Sequence, residues 1–162
     1  MTKIEGIIPA RFASSRYPGK PLVYICGKPL VIHVCEKVET ALGKEATFVA
    51  TDDEKIKEVV ESFGYNVVMT HSNHPTGTDR LYEVSLKLDA DIYVNVQGDE
   101  PVVNPADILK ITEEKKQNPD FVINGMFPIN METEDPNSVN IPKLVVNRNN
   151  DLIYMSRLPV PG

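Results

Sequence analysis

Short β-branched runs alternate with helix-period segments along this chain, and no other feature limits its fold so tightly. The run 3–8 ends in Ile7-Ile8 and passes into the turn-rich stretch 9–21, which reads as a buried strand followed by a long loop. Pro29 suits the first position of a helix, where no backbone donor is needed, and Leu30, Val34, Val38 and Leu42 repeat at i+4 on one face. The unit then recurs. Residues 47–50 form a second strand, and 53–63 carry Ile56, Val59, Val60 and Phe63 in helical phase, with Gly64 placed to stop the helix. Residues 66–69 predict a strand, 70–77 a polar loop, 78–88 a helix burying Leu81, Val84 and Leu88, and 91–96 a fourth strand. Asn104 and Pro105 suit the cap and first position of a helix through Asn118, and 120–127 return to apolar strand character. After a polar stretch, 132–140, two short strands at 144–147 and 152–155 flank the turn residues Arg148-Asn149-Asn150-Asp151, giving an appended β-hairpin. The whole, 1–162, reads as one α/β domain: a mostly parallel layered sheet with helices on both faces.

Charge narrows the partners. Lys plus Arg total 17 against 23 Asp plus Glu, a formal charge of −6, so the surface as a whole repels nucleic-acid phosphates and anionic membrane. Any anionic ligand then needs a local basic patch. Cys26 and Cys35 have no CxxC spacing and fit a reducing cytoplasm rather than a disulfide framework. The apolar start, 1–8, is interrupted by Glu5 and is too brief for a signal peptide or a membrane span, so the expectation is a soluble, cytoplasmic protein.

The basic patch is legible. Between Pro9 and Pro21 stand Arg11, Arg16 and Lys20, with the hydroxyls of Ser14, Ser15 and Tyr17 and one glycine, Gly19, directly after a strand. Ligands in open parallel sheets bind beyond the carboxyl ends of strands, so these groups are aimed at a site, and three cations so close together suit a triphosphate. A Walker loop is excluded, because its first glycine would fall at Ser14 and the Ser or Thr after its lysine at Pro21. No G-x-G-x-x-G occurs either. A second segment, Tyr93-Val94-Asn95-Val96-Gln97-Gly98-Asp99-Glu100-Pro101, delivers two acids to a strand end, where a carboxylate can hold the Mg²⁺ that accompanies a nucleoside triphosphate. Gly98 there would let the backbone approach a ligand closely. The bland alternatives are a solvated loop and a polar turn before Pro101.

Other residues are read more plainly. Arg80 sits at a predicted helix start, where a cation is unfavourable with the dipole unless partnered, and is a nucleotide-site candidate. Asp52 and Asp53 read equally as ribose or metal ligands and as cap and first-turn acids. His71 and His74 lack the further ligands zinc requires, which leaves loop hydrogen bonding or phosphate contact.

Together, Ile8-Pro9-Ala10-Arg11, Ser15-Arg16-Tyr17-Pro18-Gly19-Lys20-Pro21-Leu22, Val49-Ala50-Thr51-Asp52, Thr76-Gly77-Thr78-Asp79-Arg80, Val94-Asn95-Val96-Gln97-Gly98-Asp99-Glu100-Pro101 and Tyr154-Met155-Ser156-Arg157 resemble, in order, the motifs of the 3-deoxy-manno-octulosonate cytidylyltransferase family. The resemblance runs through nearly the whole chain. It implies a Rossmann-like, nucleotide-diphospho-sugar transferase fold, CTP held by Arg11, Ser14, Arg16 and Lys20, catalytic Mg²⁺ on Asp99, and Arg157 facing the sugar acid. It also sets the cytosine against the main chain at Ala10 and the side chains of Arg11 and Arg80, and counts Gln97 among the nucleotide and sugar contacts. Three departures stand out: Pro75-Thr76-Gly77-Thr78 where the family has a Ser-Gly-Thr run, Met155 in place of an aromatic, and Asn140-Ile141-Pro142-Lys143 where the family reads Val-Lys-Val-Val. The family continues for roughly another third of its length, which implies a fragment lacking a second metal-binding acid and an element for the homodimer.

The implied reaction is attack of a sugar-acid hydroxyl on the α-phosphorus of CTP with pyrophosphate leaving, chemistry that needs positioning and charge neutralisation more than covalent help. Arg11 and Lys20 with Asp99 are its expected catalytic groups, and Arg157 its bidentate partner for the sugar carboxylate. The rivals are a cytidylyltransferase for another acidic acceptor and a CTP-binding fragment without catalysis.

Overall fold

The computed structural model describes residues 2–13 and 17–160. In chain order these form β1 (Ile4–Pro9), a 3₁₀ turn (Lys20–Leu22), β2 (Tyr24–Ile25), β3 (Lys28–Pro29), α1 (Leu30–Leu42), β4 (Thr47–Thr51), α2 (Glu54–Ser62), β5 (Asn66–Met69), α3 (Gly77–Ser85), β6 (Ile92–Asn95), α4 (Pro105–Gln117), β7 (Lys143–Val146) and β8 (Leu152–Ser156). The described residues fall into two compact units, 1–123 and 124–162, where the sequence reads as one domain. Among them no helix is long and apolar enough to cross a membrane.

The first unit is built on a parallel sheet of order β5-β4-β1-β6. Its strands are apolar without strict alternation because both faces are covered. Ile8, Val49 and Val94 point into a core made with Val31, Val34, Cys35 and Val38 of α1, Ile56 and Val60 of α2, and Ile108 of α4. The alternate residues Ile7, Ala50 and Val68 face the other way, against Val84 of α3. Each Ile or Val so buried contributes about 1.5–3 kcal/mol. Three helices therefore cover one face and α3 the other.

Local chemistry fixes the helix starts. Asp53 caps α2, its Oδ1 accepting from the amides of Lys55 at 2.9 Å and Ile56 at 3.1 Å, so the cap alternative is the one this acid adopts. Asn104 caps α4 through Ala106 N at 3.0 Å, with Pro105 in the first turn as expected. Pro29 is the cap residue of α1 rather than its first helical position. The β2–β3 hairpin is absent from the sequence reading; its turn residues Cys26 (φ 49) and Gly27 (φ 83) both take the positive φ that a tight two-residue hairpin turn demands.

The strand expected at 120–127 does not form. A strand exists only when its amides and carbonyls find a ladder, and among the described residues none pairs with this segment. Val122 is 96% exposed in consequence. In the second unit β7 and β8 pair antiparallel, as a separate two-stranded sheet with an irregularity between Val145 and Val146. Their turn is held by Asn147, whose Oδ1 accepts from the amides of Asn149 (2.8 Å) and Asp151 (2.9 Å).

Candidate active site

Strand order reverses between β1 and β6: from β1 the chain steps outward through β4 and β5, then returns to β1's other edge as β6. The loops leaving these two neighbours stand side by side at the carboxyl ends of their strands, where an open parallel sheet accepts a ligand. One loop carries Ala10, Arg11 and Lys20. The other carries Gln97, Gly98, Asp99 and Glu100.

Their bases are rigid. Val96 N donates to Ile7 O at 3.0 Å, extending the β1–β6 ladder past its assigned end, and Ala10 N donates to Ala50 O at 2.9 Å. Gly98 is needed here for a further reason: a Cβ on it would stand 2.6 Å from Pro9 O, so its backbone closely approaches the end of β1. The loop after β1 is tied off by Gly19 N donating to Phe12 O at 2.8 Å, and the Phe12 ring packs over Gly19 while Lys55 Nζ sits 5.5 Å from its centroid. Pro21 is buried and Leu22 packs on the core, so Lys20 projects from an anchored turn.

Lys20 and Asp99 meet. Nζ lies 2.6 Å from Oδ2, with side chains 43% and 51% exposed, so a cation from one loop and an acid from the other stand together and open to solvent. Beside them, burial in the first place and the Asp99 charge in the second push the Glu100 carboxyl above its ordinary range. Arg11 and Gln97 are exposed on the same two loops, and Ala10 is 3% exposed, which leaves only its main chain for a ligand. The expectations for Ser14 and Arg16 lie outside the described residues.

The amino end of α3 completes this side. A Cβ on Gly77 would lie 3.3 Å from Pro9 Cγ and 3.7 Å from Gln97 Oε1, which puts the Thr76-Gly77-Thr78 backbone beside both loops. Thr76 and Asp79 form a reciprocal capping box, Thr76 Oγ1 accepting from Asp79 N at 3.2 Å and Asp79 Oδ2 from Thr76 N at 3.0 Å. The T-x-x-D spacing was the available signal for it. The Asp79 carboxyl is held below its usual range chiefly by donation from the Thr76 hydroxyl to Oδ2 at 2.5 Å, and further by Thr76 N.

Arg80, a nucleotide-site candidate from the sequence, is 2% exposed, its guanidinium 2.9 Å from Asp52 Oδ1 and hydrogen-bonded to Thr70 Oγ1. A buried guanidinium needs an acid and an acceptor, and these two supply them. The contact with Asp52 is one of charge, since Oδ1 has no aligned donor among the described residues. His74 also gains a partner, Glu83 Oε2 at 2.5 Å, which answers its role with loop hydrogen bonding. Arg157 belongs to the second unit, where it donates to Val139 O (3.3 Å) and Asn140 O (3.4 Å).

A cleft of about 480 Å³ lined by Thr2, Asp91, Ile92, Lys115, Lys116 and Pro119 lies at the opposite, amino end of β1 and β6. Its cations are engaged, Lys115 with the carbonyls of Pro119 and Phe121 and Lys116 with Glu113, so concavity and chemistry part company and the chemistry decides.

The cytidylyltransferase family model matches residues 6–162. The chain belongs to the cytidylyltransferase family. Within that family it is 41% identical over 163 residues to the 3-deoxy-manno-octulosonate cytidylyltransferase of Escherichia coli, covering 99% of this chain and 65% of the relative. The Geobacter metallireducens enzyme of the same name is 45% identical over 160 residues, covering 99% and 63%. The chain thus spans 63 to 65% of the length of these curated relatives. Among solved structures, CMP:2-keto-3-deoxy-manno-octonic acid synthetase complexed with CTP superposes with a TM-score of 0.86 at 39% identity, covering 99% of this chain and 66% of the other. A cytidylyltransferase from Leptospira borgpetersenii shares the fold at a TM-score of 0.66 and 22% identity, over 74% of this chain and 51% of its own. The Rossmann-like, mostly parallel architecture expected from the sequence is therefore the family's.

Proposed function

We propose that this chain is the CTP-binding part of an enzyme that transfers CMP from CTP to 3-deoxy-manno-octulosonate and releases pyrophosphate, in bacterial surface polysaccharide biosynthesis. The observation that carries the reading is the Lys20–Asp99 pair at 2.6 Å on the two loops that leave β1 and β6. The relative solved with CTP, alike over 99% of this chain, supports it.

Bond making is simple. A hydroxyl oxygen of the sugar acid attacks the α-phosphorus of CTP and gives up its proton to water, the bond from that phosphorus to the bridging oxygen breaks, and pyrophosphate leaves with the electron pair. Three phosphates carry most of the charge in play, so the chain's contribution is cations: Lys20 from its anchored turn and Arg11 from the loop base, with Arg16 the third that the family resemblance assigns. Asp99 suits Mg²⁺, which takes one or two carboxylates and fills its shell with phosphate oxygens and water; among the described residues no group of three or more His, Cys, Asp or Glu forms a fuller protein cage. Mg²⁺ bound there would neutralise phosphate charge. Ala10 offers main-chain groups to the cytosine, Gln97 a side-chain amide to nucleotide or sugar, and Arg157 a planar fork for the sugar carboxylate. Cytoplasmic location and a homodimer follow the same family reading.

Pyrophosphate release tests it. With CTP, Mg²⁺ and 3-deoxy-manno-octulosonate, this chain should bind CTP and release little pyrophosphate, whereas a version extended to the length of its relatives should release it in step with loss of the acceptor. Release by the extended version with another ulosonic acid and none with this one would reassign the acceptor, and CTP binding without release by the extended version would reduce the protein to a nucleotide-binding module.

A further inference from the structure

α3 is short, nine residues, yet two of its buried residues are charged: Arg80 at 2% and Glu83 at 9% exposure. Charged side chains are seldom buried without a purpose in packing or chemistry, because each loses hydration that its partners must replace. Three of their partners, Thr70, His71 and His74, lie on one segment, 70–76, the loop that joins β5 to α3.

The contacts run along that loop almost residue by residue. Arg80 hydrogen-bonds Thr70 Oγ1 at the loop's start while reaching Asp52 at the end of β4, 2.9 Å away. Glu83 Oε2 accepts from His71 N at 2.9 Å and lies 2.5 Å from His74 Nε2. An ionised carboxylate can only accept, so His74 Nε2 is the donor in that bond. Lys87 Nζ, one turn on, holds the other carboxylate oxygen at 2.6 Å and Met69 O, the last residue of β5, at 2.6 Å. Thr76 and Asp79 close the loop in the capping box. What the loop delivers is Gly77, whose backbone stands against Pro9 and Gln97 at the candidate site.

We propose that Glu83 and Arg80 are positioning residues: gripping the 70–76 loop from inner turns of α3, they set the Thr76-Gly77-Thr78 backbone against Pro9 and Gln97 and so govern nucleotide affinity without touching the nucleotide. The inference rests on the CTP reading above. Burial alone would raise the Glu83 carboxyl, but donation from Lys87, His74 and His71 N more than offsets it and holds the group down at about 2, so the grip is made by a fully charged acceptor near neutral pH.

The test compares Glu83→Ala, Glu83→Gln and Arg80→Lys in the full chain by amide hydrogen exchange and by calorimetric titration with CTP and Mg²⁺, well below each melting temperature. Glu83→Ala should speed exchange at residues 71–78 over that of β1, β4 and β6 and weaken CTP roughly tenfold, as small displacements at a binding site do. Glu83→Gln keeps an oxygen for His71 N and should recover much of both. Arg80→Lys keeps a charge for Asp52 but not the fork that also reaches Thr70, and should fall between. A Glu83→Ala chain with CTP affinity within about twofold of wild type, the scatter of independent sites, would overturn the inference and leave the CTP reading intact. Equal acceleration of exchange throughout the sheet would likewise overturn it, as general destabilisation. A wild-type chain that binds no CTP would overturn both.

Discussion

Lys20 Nζ and Asp99 Oδ2 stand 2.6 Å apart although the residues are 79 positions apart in sequence. Both side chains are near half exposed, and an ion pair so placed contributes only about 0–1 kcal/mol to folding. Stability does not account for it. Asp99→Asn keeps the shape and removes the charge, so the melting temperature should move by no more than a few degrees. The dependence of CTP binding on Mg²⁺, by contrast, should largely disappear. Calorimetric titrations with and without the metal check this; unchanged metal dependence would leave Asp99 a turn residue.

Lys20→Ala removes a cation assigned to the phosphates and not to the base. A hydrogen bond to a charged group contributes about 1.5–3 kcal/mol, on the order of tenfold to a hundredfold in affinity. CTP should lose that factor and CMP much less. Equal losses for the two nucleotides would place Lys20 elsewhere.

Gly98→Ala addresses the frame of the site instead of its charges. The new Cβ would meet Pro9 O, a backbone atom with no rotamer to yield, at 2.6 Å. Separating the ends of β1 and β6 should cost about 1–3 kcal/mol and lower CTP affinity in the same variant. Gly27→Ala is an unsuitable control because its φ is +83; Gly125→Ala, whose Cβ would meet nothing within 4 Å, is a better one. A Gly98→Ala chain that melts with wild type would mean that β1 and β6 separate without penalty.

Acid should loosen α3 first. The Glu83 carboxyl has a folded value of about 2 against an ordinary 4.5, so its contacts favour the folded state fully above the ordinary value. That contribution is lost as pH falls from 4.5 towards 2. Glu83→Gln should therefore narrow its stability gap to wild type across that window, as read by thermal melts at stepped pH. A gap that stayed constant would remove the charge from the account.

Much of the frame was legible in the sequence because it rests on short-range patterns. Runs such as Thr47–Thr51 and Asn66–Met69 are apolar and β-branched, and Asp53 and Asn104 cap helices by bonds two or three residues long. The segment 120–127 has the same apolar character without a ladder, and local pattern does not reveal whether a partner strand exists. The partner of Arg80 was hidden for a related reason. At a helix start the dipole argument sends a guanidinium to an outside anion, whereas Asp52 answers it from 28 positions away, through the β4–β5 crossover. Lys20 and Asp99 were each legible as ligand groups, but their meeting depends on β6 returning to the free edge of β1, which is a property of sheet order.

The most direct test of a CTP site at the carboxyl ends of β1 and β6 is titration of the chain with CTP and with UTP, each with and without Mg²⁺. CTP should bind, Mg²⁺ should tighten it, and UTP should be weaker by roughly tenfold or more, since a site that hydrogen-bonds one base edge leaves its own groups unpaired against the other. UTP binding as tight as CTP, or CTP binding indifferent to Mg²⁺, would contradict the assignment.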